Sequence, residues 1–316
     1  MSTSARFASC DWGTSRFRLR IIERESGSVL ARTESDRGVR GFTAPDAFAA
    51  YLSEQLTRLE SAHGLEPAGS VWISGMASST IGWREVPYAR LPFALDGSDC
   101  RFERSALPAG LASPERSVFL VSGVASADDI LRGEETELIG LAARGAIGSA
   151  RGATLVILPG THSKHALVGA HHFEAFATYM TGELFDVYAR ATILAHSVGE
   201  GGGDVDWSSF IAGIDSSKDG AARWLFRVRT RAVLDGATPN ENRGYLSGLL
   251  IGDELRSSPF LRDRSASKVV LAASGALLAS YRTALDALSI PHDVAGESDL
   301  NIAAAHRSLD ARIDRR

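Results

Sequence analysis

Two short polar segments contain the residue types that bind phosphate. Residues 11–16 read DWGTSR and residues 159–164 read PGTHSK. In each segment a glycine permits close approach of the backbone, hydroxyl and backbone N–H groups can donate to phosphate oxygens, and a cation follows. Asp11 could face a magnesium ion on the same polyphosphate through water. Either segment alone is weak evidence, because Gly-Thr turns often only join strands, but the pair in equivalent surroundings favours a nucleotide site.

The residues around both segments predict two hairpins in similar settings. Apolar residues at 17, 19 and 21 alternate with arginines, and residues 7–12 form a short apolar run, as expected for paired strands. Residues 155–158 and 166–168 flank the second segment in the same way. A third strand (28–33 and 172–180) and an amphipathic helix follow each hairpin. The first helix begins at Pro45 and the second places apolar residues on one side, namely Leu184, Val187, Tyr188, Ala191 and Leu194.

The remaining chain predicts buried strands and four further helices. Apolar runs at 71–73 and 118–121 are typical of parallel strands, and residues 82–117 read mostly as loop. Helices are expected at 133–144, 241–255, 275–288 and 298–309, and residues 199–203 form a glycine-rich loop. Gly244, Gly248 and Gly252 lie on one helix face, which favours close helix packing, with ligand contact as the alternative. A length of 316 residues favours two domains over one large α/β domain.

Composition excludes several classes of protein. The chain has 34 Lys and Arg, 38 Asp and Glu and a formal net charge of −4, which argues against general nucleic-acid binding. A hydrophobic fraction of 44% argues against disorder. Cys10 and Cys100 cannot form a disulfide framework, and no apolar run is long enough for a signal core or a membrane span. We therefore expect a soluble cytoplasmic protein without a nucleic-acid or membrane partner.

Common nucleotide and hydrolase motifs are missing from the sequence. It contains neither a P-loop, nor a complete GxGxxG fingerprint, nor a GxSxG elbow. Four histidines lie within eleven residues, at positions 162, 165, 171 and 172. They have no cysteine partner and no helical HExxH spacing, so turn and strand-end histidines are favoured over a metal site.

Five separated blocks resemble the 2-keto-3-deoxygalactonate kinase family of the actin-like sugar-kinase superfamily. They are residues 11–15 (DWGTS), 132–136 (RGEET), 159–164 (PGTHSK), 180–184 (MTGEL) and 246–252 (LSGLLIG), in the family's order and approximate spacing. The resemblance runs from about residue 7 to about residue 309. It implies an α/β fold of two actin-like (ribonuclease H-like) domains. Each would be a mixed sheet that begins with a β-hairpin and is flanked by helices, with an ATP cleft between them.

The resemblance also implies a division of labour between the domains. Residues 1–125 would carry the first phosphate turn and the sugar site, and residues 126–316 the second phosphate turn and the adenosine site. The implied nucleotide-binding residues are Gly13, Thr14, Ser15, Gly160, Thr161, His162, Lys164, Ser274 and Gly275. Ser274 and Gly275 replace the paired glycines or Gly-Thr that are frequent in the superfamily, which leaves open whether ATP is the only donor.

A glutamate after a glycine takes the position of the general base in related carbohydrate kinases. Here that residue is Glu134, with Glu135 as the close competitor, and Asp11 completes the implied catalytic set as the contact to Mg²⁺. A carboxylate can accept the proton of the attacking hydroxyl during in-line transfer. The alternative is that Glu134, Glu135 and Glu137 merely complement the positive end of the following helix.

Substrate contacts follow from the chemistry of a 2-keto-3-deoxy acid. Arginine binds a carboxylate through two parallel hydrogen bonds, which makes Arg16 and Arg84 candidates, although Arg16 could contact phosphate instead. Trp83 and Tyr88 could form walls of the sugar site, or they could serve loop packing.

The implied reaction is ATP- and Mg²⁺-dependent phosphorylation of the 6-hydroxyl of 2-dehydro-3-deoxy-D-galactonate, which gives 2-dehydro-3-deoxy-6-phosphogalactonate. Two alternatives stay open: a kinase for another sugar acid, such as the gluco epimer, or a non-catalytic nucleotide-binding sensor. The sequence does not determine the oligomeric state, and a homodimer is among the alternatives.

Overall fold

The computed structural model describes residues 4–107, 116–148, 152–199, 204–296 and 298–313. Residues 200–203 of the glycine-rich loop lie outside the described residues. The strands are β1 Arg6–Trp12, β2 Phe17–Glu23, β3 Val29–Ser35, β4 Ser70–Gly75, β5 Ala89–Arg90, β6 Phe93–Ala94, β7 Phe102–Ala106, β8 Ser117–Val121, β9 Val124–Ala125, β10 Ile130–Leu131, β11 Thr154–Leu158, β12 Ser163–Val168, β13 His172–Tyr179, β14 Lys268–Leu271 and β15 Asp293–Val294. The helices are α1 Pro45–Ala62, α2 Glu134–Ala143, α3 Thr181–Ala191, α4 Ala195–Val198, α5 Trp207–Ser216, α6 Ala221–Trp224, α7 Arg227–Leu234, α8 Pro239–Ser257, α9 Pro259–Arg262, α10 Gly275–Ala287 and α11 Ser298–Ile313.

The chain divides into two compact units. The first comprises Met1–Gly148, His171–Glu174 and Ser298–Arg316, and the second comprises Ser149–Ala170 and Ala175–Glu297. This division differs from the boundary predicted at residue 125, because α2 and the C-terminal helix α11 pack together. The backbone of Gly140 approaches that of Asn301 so closely that a Cβ on Gly140 would lie 1.7 Å from the Asn301 carbonyl oxygen.

The main sheet of the first unit has the order β3-β2-β1-β4-β8-β7. β1 and β2 form an antiparallel hairpin, and β1 pairs in parallel with β4, which pairs in parallel with β8. Successive side chains of a strand point to opposite faces. Trp12 therefore joins the aromatic core beneath α1, with ring centroids 4.8 to 5.9 Å from those of four other aromatic residues, namely Phe17, Phe42, Phe48 and Tyr51. Phe7 lies on the opposite face, in a cluster with residues of α11.

The second unit repeats this strand order. Its sheet runs β15-β14-β11-β12-β13, with β11 antiparallel to β12 and parallel to β14, which is parallel to β15. The order β3-β2-β1-β4-β8 in the first sheet thus matches β13-β12-β11-β14-β15 in the second, and β7 extends the first sheet beyond β8. The predicted recurrence of hairpin, third strand and helix is therefore confirmed, as are the helices expected at 133–144, 241–255, 275–288 and 298–309.

The glycine face of α8 confirms the prediction of close helix packing. A Cβ on Gly248 would lie 1.9 Å from the Phe210 carbonyl oxygen, and one on Gly244 would lie 2.6 Å from that of Asp206. These glycines let the backbone of α5 approach α8 closely.

Three regions differ from the sequence-based expectations. The stretch 82–117, predicted to be mostly loop, includes the short strands β5, β6 and β7, and the described residues 195–199 and 204–234 include α4, α5, α6 and α7, for which no pattern was identified. On the predicted apolar side of α3, Leu184 and Val187 are 37% and 44% exposed, whereas Tyr188 packs against a core cluster together with the buried Ala189. No helix among the described residues combines the length and apolar character needed to cross a membrane.

Candidate active site

The first predicted phosphate turn closes the β1–β2 hairpin. The Gly13 N–H donates to the Arg16 carbonyl oxygen (2.8 Å). Ser15 and Arg16 are exposed at the tip. A later segment supports this turn from below: the Val39 N–H donates to the Gly13 carbonyl oxygen (3.0 Å), and a Cβ on Gly38 would lie 2.3 Å from the Ser15 nitrogen. Only glycine fits at position 38 without displacing the turn.

Asp11 is the second-last residue of β1, close to the turn, and faces the side of the sheet that carries α11. The Arg18 guanidinium donates to its Oδ2 atom (2.8 Å), and the Asp11 side chain is 18% exposed. Gly75, at the end of the parallel strand β4, has a φ of +89°, and a Cβ there would lie 3.3 Å from Asp11 Oδ1. A Cβ on Gly133 would in turn lie 3.4 Å from the Gly75 Cα atom. The ends of β1 and β4 and the start of α2 therefore meet at one point.

The predicted base candidates occupy the first turn of α2. Glu134 is partly exposed, and its Oε2 accepts from the Arg132 N–H (3.0 Å). Glu135 is fully buried, and its two oxygens accept from the Gly133 N–H (2.7 Å) and the Thr136 hydroxyl (2.8 Å). Both carboxylates thus bind groups at the helix start, as the helix-capping alternative requires. Only Glu134 also has a solvent-accessible surface.

Burial and the charges of neighbouring acids raise the pKa values of two glutamates in α2. Burial, with a further contribution from the Glu134 charge, raises the pKa of Glu135 to about 7. Burial likewise raises the pKa of Glu137 to about 7, and the charges of Asp11 and Glu134 act in the same direction. A carboxylic acid with a pKa of about 7 is only partly ionised at neutral pH, so Glu135 and Glu137 carry less negative charge there than ordinary glutamates.

Arg132 was not singled out from the sequence, yet it connects the glutamates to the loop at 76–88. Its guanidinium donates to the carbonyl oxygens of Ser78 (2.6 Å) and Val86 (3.1 Å) and lies 4.2 Å from the Tyr88 ring centroid. The signal available in the sequence was its position directly before the Gly-Glu pair.

The predicted substrate residues do not share one environment. Trp83 is 8% exposed and its ring stacks on Phe48 with centroids 6.4 Å apart, so it packs in the core, and a role as a wall of the sugar site stays a prediction. Arg84 is exposed. Tyr88 lines a cavity of about 710 Å³ together with two arginines that the sequence analysis did not select, Arg90 and Arg101.

The second predicted phosphate turn joins β11 to β12, and a glycine from a later segment contacts its backbone, as in the first turn. A Cβ on Gly182 would lie 2.5 Å from the Gly160 carbonyl oxygen, and the Glu183 N–H donates to the Thr161 carbonyl oxygen (3.0 Å). His162 Nε2 lies 2.5 Å from a carboxylate oxygen of Glu183 at the surface. Gly182 comes three residues after β13, as Gly38 comes three residues after β3.

Lys164 lies in a different place from the one expected of a phosphate-binding cation. Its side chain is 4% exposed within β12. Thr161 and His162 of the turn are exposed, whereas Ser163 and Lys164 are buried, and a role for Lys164 at phosphate stays a prediction.

Ser274 and Gly275 connect β14 to α10 in the tight strand-to-helix turn expected of them. Ser274 has extended backbone angles, and Gly275 has a φ of +57°, which favours glycine. A Cβ on Gly275 would meet no atom within 4 Å. The space above this turn is therefore open, as a ligand-binding role would need.

Comparisons with known proteins agree with one another. The family model described as 2-keto-3-deoxy-galactonokinase matches residues 11–307. The chain belongs to this kinase family. A protein of Rhizobium meliloti strain 1021 named as a probable 2-dehydro-3-deoxygalactonokinase is 37% identical over 300 residues, or 90% of each chain. The 2-dehydro-3-deoxygalactonokinase of Escherichia coli strain K12 is 30% identical over 294 residues, which cover 90% of this chain and 91% of that one.

Solved structures support the same conclusion. A crystal structure from Sinorhizobium meliloti, of a protein assigned as a 2-dehydro-3-deoxygalactonokinase, superposes with a TM-score of 0.81 at 34% identity and 96% coverage of both chains. Component A of (R)-2-hydroxyglutaryl-CoA dehydratase from Acidaminococcus fermentans shares only the fold, with a TM-score of 0.50, 12% identity, and coverage of 99% of this chain and 100% of that one. The predicted fold class is confirmed, and so is the prediction of a sugar-acid phosphotransferase that acts on an alcohol group.

Mg²⁺ is the expected companion of ATP in this kinase family. Among the described residues, no three His, Cys, Asp or Glu side chains come together as a metal cluster. Asp11, with one oxygen bound by Arg18, fits a contact through water, because Mg²⁺ commonly keeps several waters and takes its other ligands from phosphates.

Proposed function

We propose that this kinase transfers the γ-phosphoryl group of ATP to the 6-hydroxyl of 2-dehydro-3-deoxy-D-galactonate. The observation that carries the proposal is the duplicated support of the two hairpin turns by Gly38 and Gly182, in sheets of the same strand order. Each turn presents backbone and hydroxyl groups of Gly-Thr sequences at its tip, which suits phosphate oxygens. Ser274 and Gly275 would hold the adenosine part of ATP.

Glu134 is the residue we assign as general base. Its carboxylate is partly exposed and lies at the junction of β1, β4 and α2, whereas both oxygens of the buried Glu135 already accept hydrogen bonds. In the reaction Glu134 accepts the proton of the 6-hydroxyl. The O6–phosphorus bond forms, the bond from phosphorus to the bridging β–γ oxygen breaks, and ADP leaves with the electron pair of that bond.

Asp11, which pairs with Arg18, would hold the metal through water. When bound, Mg²⁺ would neutralise charge on the phosphate groups. For the substrate carboxylate, Arg16 and Arg84 stay the candidates from the sequence, and both are exposed.

A coupled ADP-release assay with ATP, Mg²⁺ and four acceptors tests this function. The acceptors are 2-dehydro-3-deoxygalactonate, its gluco epimer, galactonate and gluconate, and ³¹P NMR of the product locates the phosphate. Release that depends on the first acceptor and yields a 6-phosphate is the expected result. Preference for another acceptor would reassign the substrate, and silence across the panel from a nucleotide-binding protein would favour a sensor.

A further inference from the structure

A buried carboxylate lies behind the second phosphate turn. Glu254 of α8 is 2% exposed. Its Oε1 accepts from the Ser163 hydroxyl (2.7 Å) and from His165 Nε2 (2.9 Å), and its Oε2 accepts from the Tyr281 hydroxyl (2.6 Å). The Thr181 side chain donates a further hydrogen bond. Four donors from three elements thus converge on one carboxylate.

The hydrogen bonds around Glu254 favour the ionised form of its carboxylate. Burial acts to raise the pKa of Glu254, but the hydrogen bonds and charge of His165 and the hydroxyl donors outweigh it and hold that pKa below its ordinary value. Because an ionised carboxylate only accepts hydrogen bonds, Nε2 of His165 carries a proton. The other ring nitrogen lies 2.8 Å from the Ser258 hydroxyl. The imidazole is therefore fixed at both nitrogens.

Ser163, Thr181 and Tyr281 each belong to a segment that carries or supports a proposed nucleotide contact. Ser163 directly follows His162 of the second turn. Thr181 directly precedes Gly182, whose Cα lies against the backbone of that turn. Tyr281 is on α10, the helix that starts at the proposed adenosine turn.

We infer that Glu254 is a positioning residue for the nucleotide, since its carboxylate joins the second turn, the start of α3 and α10 in one arrangement. This inference rests on the proposed use of ATP. Glu254 is too deeply buried to touch a substrate, so it acts through these segments. A buried ion network is weak evidence for stability, because apolar residues of similar volume often serve equally well. The role of this network is positional, because its hydrogen bonds fix three segments relative to one another.

The test compares two buried, ion-paired glutamates from different units. Glu254→Gln removes the charge of the network and reverses one donor. Glu60→Gln does the same to a carboxylate that is 4% exposed, accepts from Arg116 and lies in the first unit. For each full-length variant, the Kd of a fluorescent N-methylanthraniloyl-ADP is measured directly. The KM values for ATP and for the sugar acid, and the thermal unfolding midpoint, complete the set.

Glu254→Gln should raise the Kd of the ADP analogue and the KM for ATP about tenfold, because small displacements of binding groups have effects of this size. The KM for the sugar acid should change less than about twofold. Glu60→Gln should lower the unfolding midpoint and leave the Kd of the ADP analogue unchanged. Tyr281→Phe removes a single donor without changing volume, and it provides a milder variant that should shift the Kd in the same direction by about threefold.

Three results would overturn the inference: a folded Glu254→Gln or Tyr281→Phe variant with wild-type Kd, an equal rise in the KM of both substrates, or an equal rise in Kd for Glu60→Gln. The proposed function fails separately. A wild-type protein that binds the ADP analogue but phosphorylates none of the acceptors refutes the kinase assignment while the Kd comparison still decides the role of Glu254. A wild-type protein that does not bind the analogue refutes both.

Discussion

The turn at residues 13–16 and the turn at residues 159–162 occupy the same place in sheets of the same strand order, but their supports differ in chemistry. Behind the first turn lies an aromatic core, in which the Trp12 indole N–H donates to the Arg37 carbonyl oxygen (3.1 Å). Behind the second lies the ionised Glu254 with its ring of donors. The feature in common is a glycine, Gly38 or Gly182, that approaches the turn backbone.

This difference indicates that the two units have different tasks. In the first unit Asp11 and Glu134 lie at the end of the sheet near the turn, where we propose that they meet a metal and the reacting hydroxyl. The second unit places its carboxylate, Glu254, behind the turn, where it can fix geometry but cannot react. We infer that chemistry depends mainly on the first unit, and nucleotide placement mainly on the second.

The largest expected effect follows from Glu134→Gln. The amide cannot accept the proton of the substrate hydroxyl, so kcat should fall about 10²–10⁴-fold, the range of general-base catalysis. The Kd of the ADP analogue should stay within about twofold of wild type, since the change is isosteric. Steady-state kinetics and a binding titration measure both quantities. Near-normal turnover would remove Glu134 from the role of base.

Glu135→Gln is the matched control for that experiment. Its side chain is buried and already bonded locally, so the variant should retain kcat within about tenfold. A loss as large as that of Glu134→Gln would assign the base to Glu135 instead.

The next largest effects come from the two supporting glycines. In Gly38→Ala and Gly182→Ala the new methyl group would lie 2.3 and 2.5 Å from backbone atoms of the turns, so each turn must shift. We expect each variant to lose about 1–3 kcal/mol of stability and at least about tenfold in kcat/KM. Gly41→Ala is the control, because a Cβ there meets no atom within 4 Å. Wild-type kinetics for either turn variant would show that its glycine does not position the turn.

These glycines mark the limit of what the sequence could predict. Strand alternation at 17–21 and the apolar runs at 7–12 and 155–158 depend on neighbouring residues, so both hairpins and the repeated order of elements were predictable. Gly38 contacts a turn 24 residues earlier, and its role becomes visible only once the sheet is assembled. The role of Glu254 is equally hidden in the sequence. A glutamate within a helix is expected to face solvent, and the donors that surround this one come from distant parts of the chain.

The same limit applies to side-chain environments that the sequence leaves open. A helical period reveals an apolar stripe but not which side meets a partner, and Leu184 and Val187 are exposed for that reason. From the sequence, Trp83 fits a wall of the sugar site and loop packing equally well, and its burial against Phe48 depends on contacts that only the folded chain shows. Lys164 was selected for its charge, while its position inside β12 depends on strand register.

A smaller effect is the pH dependence of stability, which has opposite signs for the buried Glu135 of the first unit and the buried Glu254 of the second. The pKa of Glu135 is raised to about 7, so between about pH 4.5 and 7 the unfolded chain loses this proton while the folded chain retains it. Its stabilising contribution is complete below that window and decreases as pH rises through it, by at most about 3 kcal/mol. The pKa of Glu254 is lowered, so its contribution is present above its ordinary pKa and is lost as pH falls below that value.

Denaturant unfolding of wild type, Glu135→Gln and Glu254→Gln from pH 4 to 8 measures this difference. The stability of Glu135→Gln relative to wild type should increase from pH 5 to 7, whereas the deficit of Glu254→Gln should diminish toward pH 4. Parallel curves for all three proteins would contradict the assigned charge states.

The smallest effect is expected at the surface pair of His162 and Glu183. Their side chains are 48% and 44% exposed, and pairs in water contribute at most about 1 kcal/mol. Glu183→Gln should therefore change stability by less than that, and kcat/KM by less than about threefold. The adjacent Gly182→Ala should cost far more, although alanine is the better helix former. Equal losses of kcat/KM in Glu183→Gln and Gly182→Ala would show that the ion pair rather than the backbone contact holds the second turn. Gly182 would then not correspond to Gly38.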